Sequence, residues 1–223
     1  MFALVLLPAC STRAPVPVSS LVDPGSQLET LSSSVTISLR TAEKNLAGRG
    51  FMVYRRPDQM RLILLSPFGT TLMEARLDGE NLTLSYPAKA EAFSGRISEL
   101  PPATGQRGLS MLRWVLASDS PKNAAPNGLI EQQNDRGVLE RITMQDGVVT
   151  EKSLATGERV RYRNFKVLSG VLVPHELQME SAEGDRIRLT LEEPEVNVPL
   201  EQKVFSVHLD GFRIFPLSAL KPH

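Results

Sequence analysis

Short segments with a two-residue hydrophobic period follow one another through most of this 223-residue chain. The run Arg186-Ile-Arg-Leu-Thr-Leu191 alternates arginine and aliphatic side chains, which is typical of a strand with one wet and one packed face. Tight-turn signals separate these runs, and Asp78-Gly79 is the strongest hairpin signal among them. Asn45–Gly50, with its two glycines, is predicted to be a turn, and Val171–Val173 and Glu176–Met179 are predicted to be two separate strands. About ten or eleven strands joined in this way predict a large antiparallel meander.

Helical patterns are confined to a few places. In Leu109–Ala117 the side chains of Leu109, Leu112 and Leu116 recur at helical spacing, and Trp114 lies beside the same stripe. One or two helices cannot form a complete second layer over so large a sheet. We therefore expect a mainly β fold in which the sheet curls into an incomplete antiparallel barrel. Helices would cover a hydrophobic cavity on its concave side.

An apolar run, residues 1–9, precedes the single cysteine of the sequence, Cys10. This run is too short for a transmembrane helix, which needs about 20 residues, and it is typical of an export signal. Leu7-Pro8-Ala9-Cys10 resembles a bacterial lipobox, in which the cysteine is acylated after cleavage. The alternative is a buried N-terminal strand with an incidental thiol. No Lys or Arg precedes the apolar run, which leaves the true start codon open.

Residues 10–26 have the composition of a lipid-anchored flexible tether. They include Pro15, Pro17 and Pro24 and lack apolar periodicity, so they cannot bury enough surface to repay their ordering entropy. Residues 27–223 are expected to form a single domain, because no second linker follows. Ser11 stands where inner-membrane lipoproteins of enteric bacteria tend to carry an aspartate, which favours the outer membrane.

Charge and motif content argue against nucleic-acid binding and against catalysis. The 25 basic and 25 acidic residues cancel, unlike those of a nucleic-acid surface. His175, His208 and His223 have no metal-binding spacing, and no second cysteine offers a zinc site. The motifs of serine hydrolases, P-loop proteins and dinucleotide-binding enzymes are missing. We expect a non-enzymatic protein without metal or cofactor, with His175 in a turn after Pro174.

The order of motifs resembles the LolA/LolB superfamily of bacterial lipoprotein carriers and outer-membrane receptors. The similar block runs from Leu46 to about Leu116 and contains MRLILLSPFGTT at 60–71, AEAFSGR at 90–96 and LSMLRWVL at 109–116. LolB has a similar succession of a leucine-rich strand, a Pro-Leu-Gly-type loop, a strand, and a helix with Leu-x-x-Trp. The resemblance implies an incomplete antiparallel barrel, with helices over its open side and a hydrophobic cavity between them.

The same resemblance implies a function. The protein would be a lipid-anchored receptor that binds the acyl chains of lipoproteins, or a similar lipid, and inserts them into the outer membrane from the periplasmic side. Its partners would be acylated cargo, a periplasmic LolA-like carrier and the membrane, and we expect a monomer. A structural or assembly lipoprotein of the cell envelope, with the same fold but no transfer activity, is the alternative. The sequence leaves the cargo and the carrier open.

The loop Ser66–Thr70 is the candidate transfer element. Pro67 and Gly69 predict a tight connection that pushes Phe68 outward, and a large apolar side chain at a hairpin tip needs a partner. LolB carries a protruding leucine at the matching position, so the resemblance implies that Phe68 is the transfer residue. The alternative is a Phe68 ring that folds back onto its own sheet.

Inward-facing apolar side chains are candidates for the acyl-binding cavity, and methionine suits a pocket for acyl chains of varied shape. Any one of them is more often plain core than a ligand contact, and the sequence does not decide which face of a strand turns inward. The candidates are Met52, Tyr54, Leu62, Leu64, Leu72, Leu84, Leu112, Trp114, Met179 and Leu189.

Overall fold

The computed structural model describes residues 26–41, 45–101, 111, 114–115, 125–134 and 137–220. Thirteen β-strands account for most of these residues: β1 Thr30–Arg40, β2 Asn45–Arg55, β3 Gln59–Leu65, β4 Thr71–Asp78, β5 Asn81–Tyr86, β6 Glu91–Arg96, β7 Gly128–Gln133, β8 Leu139–Gln145, β9 Val148–Leu154, β10 Arg159–Leu168, β11 Val171–Glu180, β12 Arg186–Val196 and β13 Arg213–Pro216. Short 3₁₀ helices occupy Pro87–Lys89, Ile97–Glu99, Gln202–Phe205 and Leu217–Ala219. The signal and tether assigned to residues 1–9 and 10–26 lie outside the described residues, apart from Ser26.

All thirteen strands form one open sheet, in the order β13-β6-β5-β4-β3-β2-β1-β12-β11-β10-β9-β8-β7. Neighbours pair antiparallel except at β13 and β6, which run parallel. The pairing of β1 with β12 joins the N-terminal and C-terminal halves of the chain at the middle of the sheet. The prediction of a large, mainly β, unclosed antiparallel sheet is therefore confirmed, with more strands than the sequence indicated.

The difference in strand number has local causes. The sequence pattern marks no strand at β6 or at the short edge strand β13, whereas it divides β11 into two runs around Pro174. Asn45–Gly50, expected as a turn because of its glycines, belongs to strand β2. Gly50 is required there by packing, because a Cβ atom at this position would lie 1.9 Å from the carbonyl oxygen of Ile63 in β3.

One face of the sheet carries nearly all of the buried apolar side chains, and we call it the inner face. Strand alternation places Met52 and Tyr54 of β2, and Leu177 and Met179 of β11, on this face. Side chains from both halves of the chain belong to a single buried cluster. Burial of each large aliphatic side chain contributes about 1.5–3 kcal/mol, so this face supplies most of the driving force for folding.

The opposite, outer face is mainly polar, and the C-terminal segment crosses part of it. Phe205 is buried there, and the guanidinium of Arg55 lies 4.6 Å from the centroid of its ring. Arg61 donates a hydrogen bond of 3.0 Å from Nη1 to the carbonyl of Val204. These contacts hold the segment that follows β12 against the outer face. The segment then reaches the edge of the sheet, where β13 pairs with β6.

The hairpin turns at 66–70, 155–158 and 181–185 share one end of the sheet, which we call the loop end. The register establishes this, because Arg159 pairs with Glu180, Glu180 with Arg186, and Arg186 with Arg40. Arg40 pairs in turn with Asn45 at the start of β2. The first residue of β1, Thr30, lies at the opposite end of the sheet.

Candidate functional site

The loop between β3 and β4 protrudes from the loop end and is held by its own hydrogen bonds. Ser66 accepts a bond of 2.9 Å from the Gly69 amide at its carbonyl and donates its own amide to the Thr70 carbonyl at 2.8 Å. Its hydroxyl accepts the Phe68 and Thr70 amides, both at 3.2 Å. Gly69 has φ +80°, a left-handed conformation that glycine adopts without strain. Pro67, Phe68 and Gly69 therefore form the compact tip that the sequence predicts.

Phe68 is 94% exposed, so its ring makes almost no contact with the rest of the domain. The alternative in which this ring folds back onto its sheet is therefore wrong. Because the hydrogen bonds of Ser66 and the conformation of Gly69 shape the loop, the fold does not need the ring. An exposed aromatic ring on a self-supported loop has an energetic reason to bind an apolar partner.

The described residues that were predicted to line the cavity share the inner face, with one exception. Strands β2, β3, β5, β11 and β12 contribute all of them except the helical Trp114, and they belong to the cluster of packed apolar side chains. Their use by an acyl chain stays a prediction. The buried members are Met52, Tyr54, Leu62, Leu84, Met179 and Leu189, and the partly buried members are Leu64 and Trp114.

Leu72 is the exception, and its prediction as an inward side chain is wrong, because it is 51% exposed. Leu64 pairs with Met73 and Leu65 pairs with Thr71, so Leu72 is an additional residue in β4 at a β-bulge. Met73 is the residue in β4 that packs against the core near this point. Cys10 and Leu112 lie outside the described residues.

A polar cluster on the inner face was not anticipated from the sequence. Glu140 of β8 and Lys152 of β9 form an ion pair of 3.3 Å in which each side chain is only 4% exposed. The indole Nε1 of Trp114 donates a hydrogen bond of 2.8 Å to Glu140. The ammonium of Lys152 lies 5.1 Å from the centroid of the Trp114 ring and donates to the Trp114 carbonyl at 3.3 Å.

This cluster fixes a helical portion of the chain to the sheet. Met111, Trp114 and Val115 are α-helical, and Met111 and Val115 are buried in the core. Tyr162 of β10 donates its hydroxyl to the Val115 carbonyl at 3.0 Å. The helical pattern and the place of Trp114 beside the core thus agree with the sequence prediction. Helices that cover a cavity are not defined in the described residues, and that expectation stays a prediction.

The alternation of apolar and polar residues in β8 could have indicated this buried polar cluster from the sequence. Glu140 occupies the same phase as the buried Ile142 and Met144, so a charged residue stands where an apolar one is expected. Buried carboxylates need a partner, which predicts a cation on a neighbouring strand. The sequence alone could not identify Lys152 as that cation, because the pairing depends on the register of β8 against β9.

His175 lies within β11, so its prediction as a turn residue is wrong. Its phase is that of Val173 and Leu177, which are buried on the inner face. Burial lowers the pKa of His175 below its ordinary value, and the positive charge of Lys166 adds to this effect, whereas a hydrogen bond with the backbone of Leu191 opposes it. The net effect favours the neutral form of the imidazole.

The described part of the chain contains neither a metal-binding cluster nor a membrane-spanning helix. No group of three or more His, Cys, Asp or Glu side chains is arranged there to hold a metal ion. None of the helices in that part combines the length and the apolar character that crossing a bilayer requires.

Comparison with known proteins relates this architecture to lipoprotein sorting. The model of the family described as outer membrane lipoprotein LolB matches residues 30–193, which is more than half of the chain. No curated protein matches the sequence. Among solved structures, a LolA superfamily protein from Nitrosomonas europaea has a TM-score of 0.55 and 16% identity, with 86% of this chain and 99% of that chain covered.

Two further structures have the same fold. A putative outer membrane lipoprotein-sorting protein domain from Vibrio parahaemolyticus has a TM-score of 0.55 and 14% identity, covering 84% of this chain and 92% of that chain. A DUF1329 family protein from Desulfovibrio piger has a TM-score of 0.56 and 11% identity, covering 86% of this chain and 98% of that chain. At these identities the likeness extends to the fold alone.

Proposed function

Because the chain belongs to the family of the outer membrane lipoprotein LolB, we propose that it is an outer-membrane receptor for lipoproteins. The receptor takes acylated proteins, or a similar lipid, from a periplasmic LolA-like carrier and releases their acyl chains into the membrane. Family membership supports lipoprotein binding in general, and the receptor step is the part that we add. The transfer is non-enzymatic and requires no cofactor, since no covalent bond has to form or break.

The exposed ring of Phe68 is the observation that carries this proposal. A domain that only had to fold would gain nothing from an aromatic side chain that is 94% exposed at a loop tip. In a receptor that contacts a bilayer, an exposed apolar side chain at the loop end can insert into the acyl region. Transfer then follows affinity alone, if the inner face binds acyl chains more strongly than the carrier does and the bilayer binds them more strongly still.

In the proposed anchored state, the tether is long enough for Phe68 to face the membrane that holds the lipid on Cys10. The domain begins at the end of the sheet opposite Phe68, and the eleven residues of β1 correspond to a strand about 37 Å long. Residues 11–26 would span about 55 Å at full extension. A lipid on Cys10 can therefore hold the protein at the outer membrane, facing the periplasm, while the loop end reaches the same leaflet.

Trp114 should report cargo binding, because it is the only tryptophan of the chain and lies beside the inner face. We expect its fluorescence emission to shift to shorter wavelength when an acylated peptide or a fatty acid displaces it from Glu140 and Lys152. Titration of the full chain measures the shift, with Trp114→Phe as the control that abolishes the signal. Binding detected by calorimetry without any change in emission would contradict this placement and weaken the proposal.

Cys10→Ser should prevent anchoring. Each buried methylene contributes about 0.8 kcal/mol to membrane attachment, so a chain without acyl groups keeps at most a marginal affinity for the bilayer. We expect loss of palmitate labelling and accumulation of an uncleaved or released form in fractionated cells. Ser11→Ala serves as a matched control that keeps the thiol. Equal labelling of the Cys10→Ser chain and the native chain would rule out this cysteine as the anchor.

A further inference from the structure

An arginine-rich groove lies at the loop end of the sheet, and its lining includes no residue of the Phe68 loop. Its arginines belong to the outer face, whereas its large apolar side chains have the phase of the inner face and are those of Leu39, Leu46, Met179 and Ile187. The groove has a volume of about 650 Å³ and runs across the ends of β1, β2, β10, β11 and β12. Its charged lining consists of five arginines and one carboxylate, namely Arg40, Arg159, Arg161, Arg186, Arg188 and Glu180. We call this feature the arginine groove.

Strand alternation explains why these arginines collect on one face. In β10 and β12 they alternate with buried residues such as Val160 and Leu189, so all of them point outward. The register then places Arg186 opposite Arg40 and opposite Glu180. Like charges opposite each other on paired strands are unfavourable for folding, so stability alone does not account for the Arg40–Arg186 pair.

Three carboxylates balance the arginines only in part. Glu151 contacts Arg161 at 2.9 Å and Arg159 at 3.3 Å, while Glu180 lies 3.7 Å from Arg186. A fourth arginine, Arg188, lies 3.3 Å from Glu176. Among the described residues, and including the two flanking glutamates, the five arginines have only three carboxylates within ion-pair distance. The paired arginine side chains are still 40–67% exposed, and a guanidinium has five N–H donors, so each retains donors for a ligand.

The chemistry of the arginine groove suits a phosphate group. The planar guanidinium binds phosphate oxygens through two parallel hydrogen bonds, which gives geometric specificity as well as charge attraction. The groove is open and runs over several strands, as a surface for headgroups requires. Its position favours a membrane as the source of the phosphate. Leu46, which is exposed, lines the groove, and β2 continues from it to Arg49, which pairs with Leu65 at the base of the Phe68 loop.

We propose that the arginine groove binds the phosphate groups of anionic lipids and so orients the loop end, with Phe68, against the membrane surface. This inference rests on the proposed function, in which the loop end delivers acyl chains to a bilayer. It adds that the loop end recognises lipids with anionic phosphate headgroups. A membrane accounts for the exposed apolar tip and the cationic groove together. An acidic protein would account only for the groove.

Vesicle binding tests the proposal without cargo or carrier. The full chain with Cys10→Ser, which carries no acyl group, is sedimented with vesicles of phosphatidylcholine alone or mixed with phosphatidylglycerol. In this background, Arg40→Gln/Arg186→Gln removes two charges from the groove. Arg96→Gln/Lys203→Gln is the matched control, because it also removes two exposed charges, at the far end of β6 and in the C-terminal segment.

We expect the parent chain to prefer the anionic vesicles and the groove variant to lose about 30-fold in partitioning to them, with about fivefold for Arg40→Gln alone. The control variant should lose less than about threefold, since its charges lie farther from the membrane. Melting temperatures measured in parallel verify folding. Because Arg40 is exposed and ends its strand, Arg40→Gln keeps the test valid if the double variant unfolds.

Equal losses in the groove and control variants would overturn the inference, because net charge would then explain the binding. The inference would also be overturned if the groove variant bound anionic vesicles as strongly as the parent chain does. This holds even if the variant had lost its binding to a carrier protein. Displacement by inorganic phosphate beyond that by chloride at equal ionic strength would assign the groove to a free anion. Cargo transfer is measured in a separate assay, so failed transfer with intact anionic-lipid binding refutes the proposed function and leaves the groove assignment standing.

Discussion

A chain carrying Phe68→Glu should load acylated cargo normally and fail to deliver it to liposomes. The side chain is 94% exposed, so a carboxylate there costs the fold little in water. In the acyl region of a bilayer a charged side chain costs about 3 kcal/mol, which corresponds to a loss of about 100-fold in productive insertion. Transfer from a loaded carrier to the protein, and then to liposomes, measures loading and delivery separately.

Two companion variants sharpen this experiment. Phe68→Leu should deliver nearly as well as the native chain, because it keeps an apolar tip on the same self-supported loop. Leu129→Glu makes a similar apolar-to-acidic change at another exposed position, on edge strand β7, and should leave delivery intact. If Phe68→Glu delivers cargo normally, the receptor proposal loses its main residue, and a structural envelope lipoprotein with the same fold becomes the better explanation.

Lys152→Met should cost about 3–5 kcal/mol in the free energy of unfolding. It leaves Glu140 only 4% exposed, with its charge no longer paired, and removing one partner of a buried ion pair is strongly destabilising. Replacing both charges in Glu140→Leu/Lys152→Met should recover much of the loss, because the pair is then exchanged for apolar packing. Urea denaturation followed by circular dichroism measures the three free energies.

The exposed pair of Arg141 and Glu131 provides the control for this cycle. Its side chains are 60% and 49% exposed, so Arg141→Met should cost less than about 1 kcal/mol. If Lys152→Met costs no more than Arg141→Met, the Glu140–Lys152 pair does not hold the helical residues to the sheet. If the double variant is as unstable as Lys152→Met, the loss comes from packing around Trp114 and not from the unpaired charge.

Much of the fold follows from local patterns in the chain. Alternating runs such as Arg186–Leu191 and turn signals such as Asp78-Gly79 were sufficient to predict a large, open, antiparallel sheet. The motif order between Leu46 and Leu116 was sufficient to relate it to the LolA/LolB superfamily, and the LolB family match confirms that relation. Errors arose where one residue type serves two purposes. The glycines of β2 resemble a turn, yet Gly50 is small because β3 passes close to it.

The candidate site also contains features that could be predicted from the sequence and features that could not. The protrusion of Phe68 could be predicted, because Pro67 and Gly69 lie beside it in the chain and determine the loop by local geometry. The interior position of Leu72 was predicted wrongly, because β4 contains a bulge that changes its phase relative to β3. A bulge depends on how two strands pair, and a single strand carries no reliable sign of it.

The sequence by itself determined the strands, their tight turns and the apolar tip at Phe68, because each of these depends on residues within a few positions of one another. Only the tertiary structure decided which charges meet. It brought Glu140 and Lys152 together under Trp114, and it gathered Arg40, Arg159 and Arg186 from three strands into one groove. The physical reason is register: contacts across a sheet depend on how strands align, and that alignment is set by burial of the whole inner face.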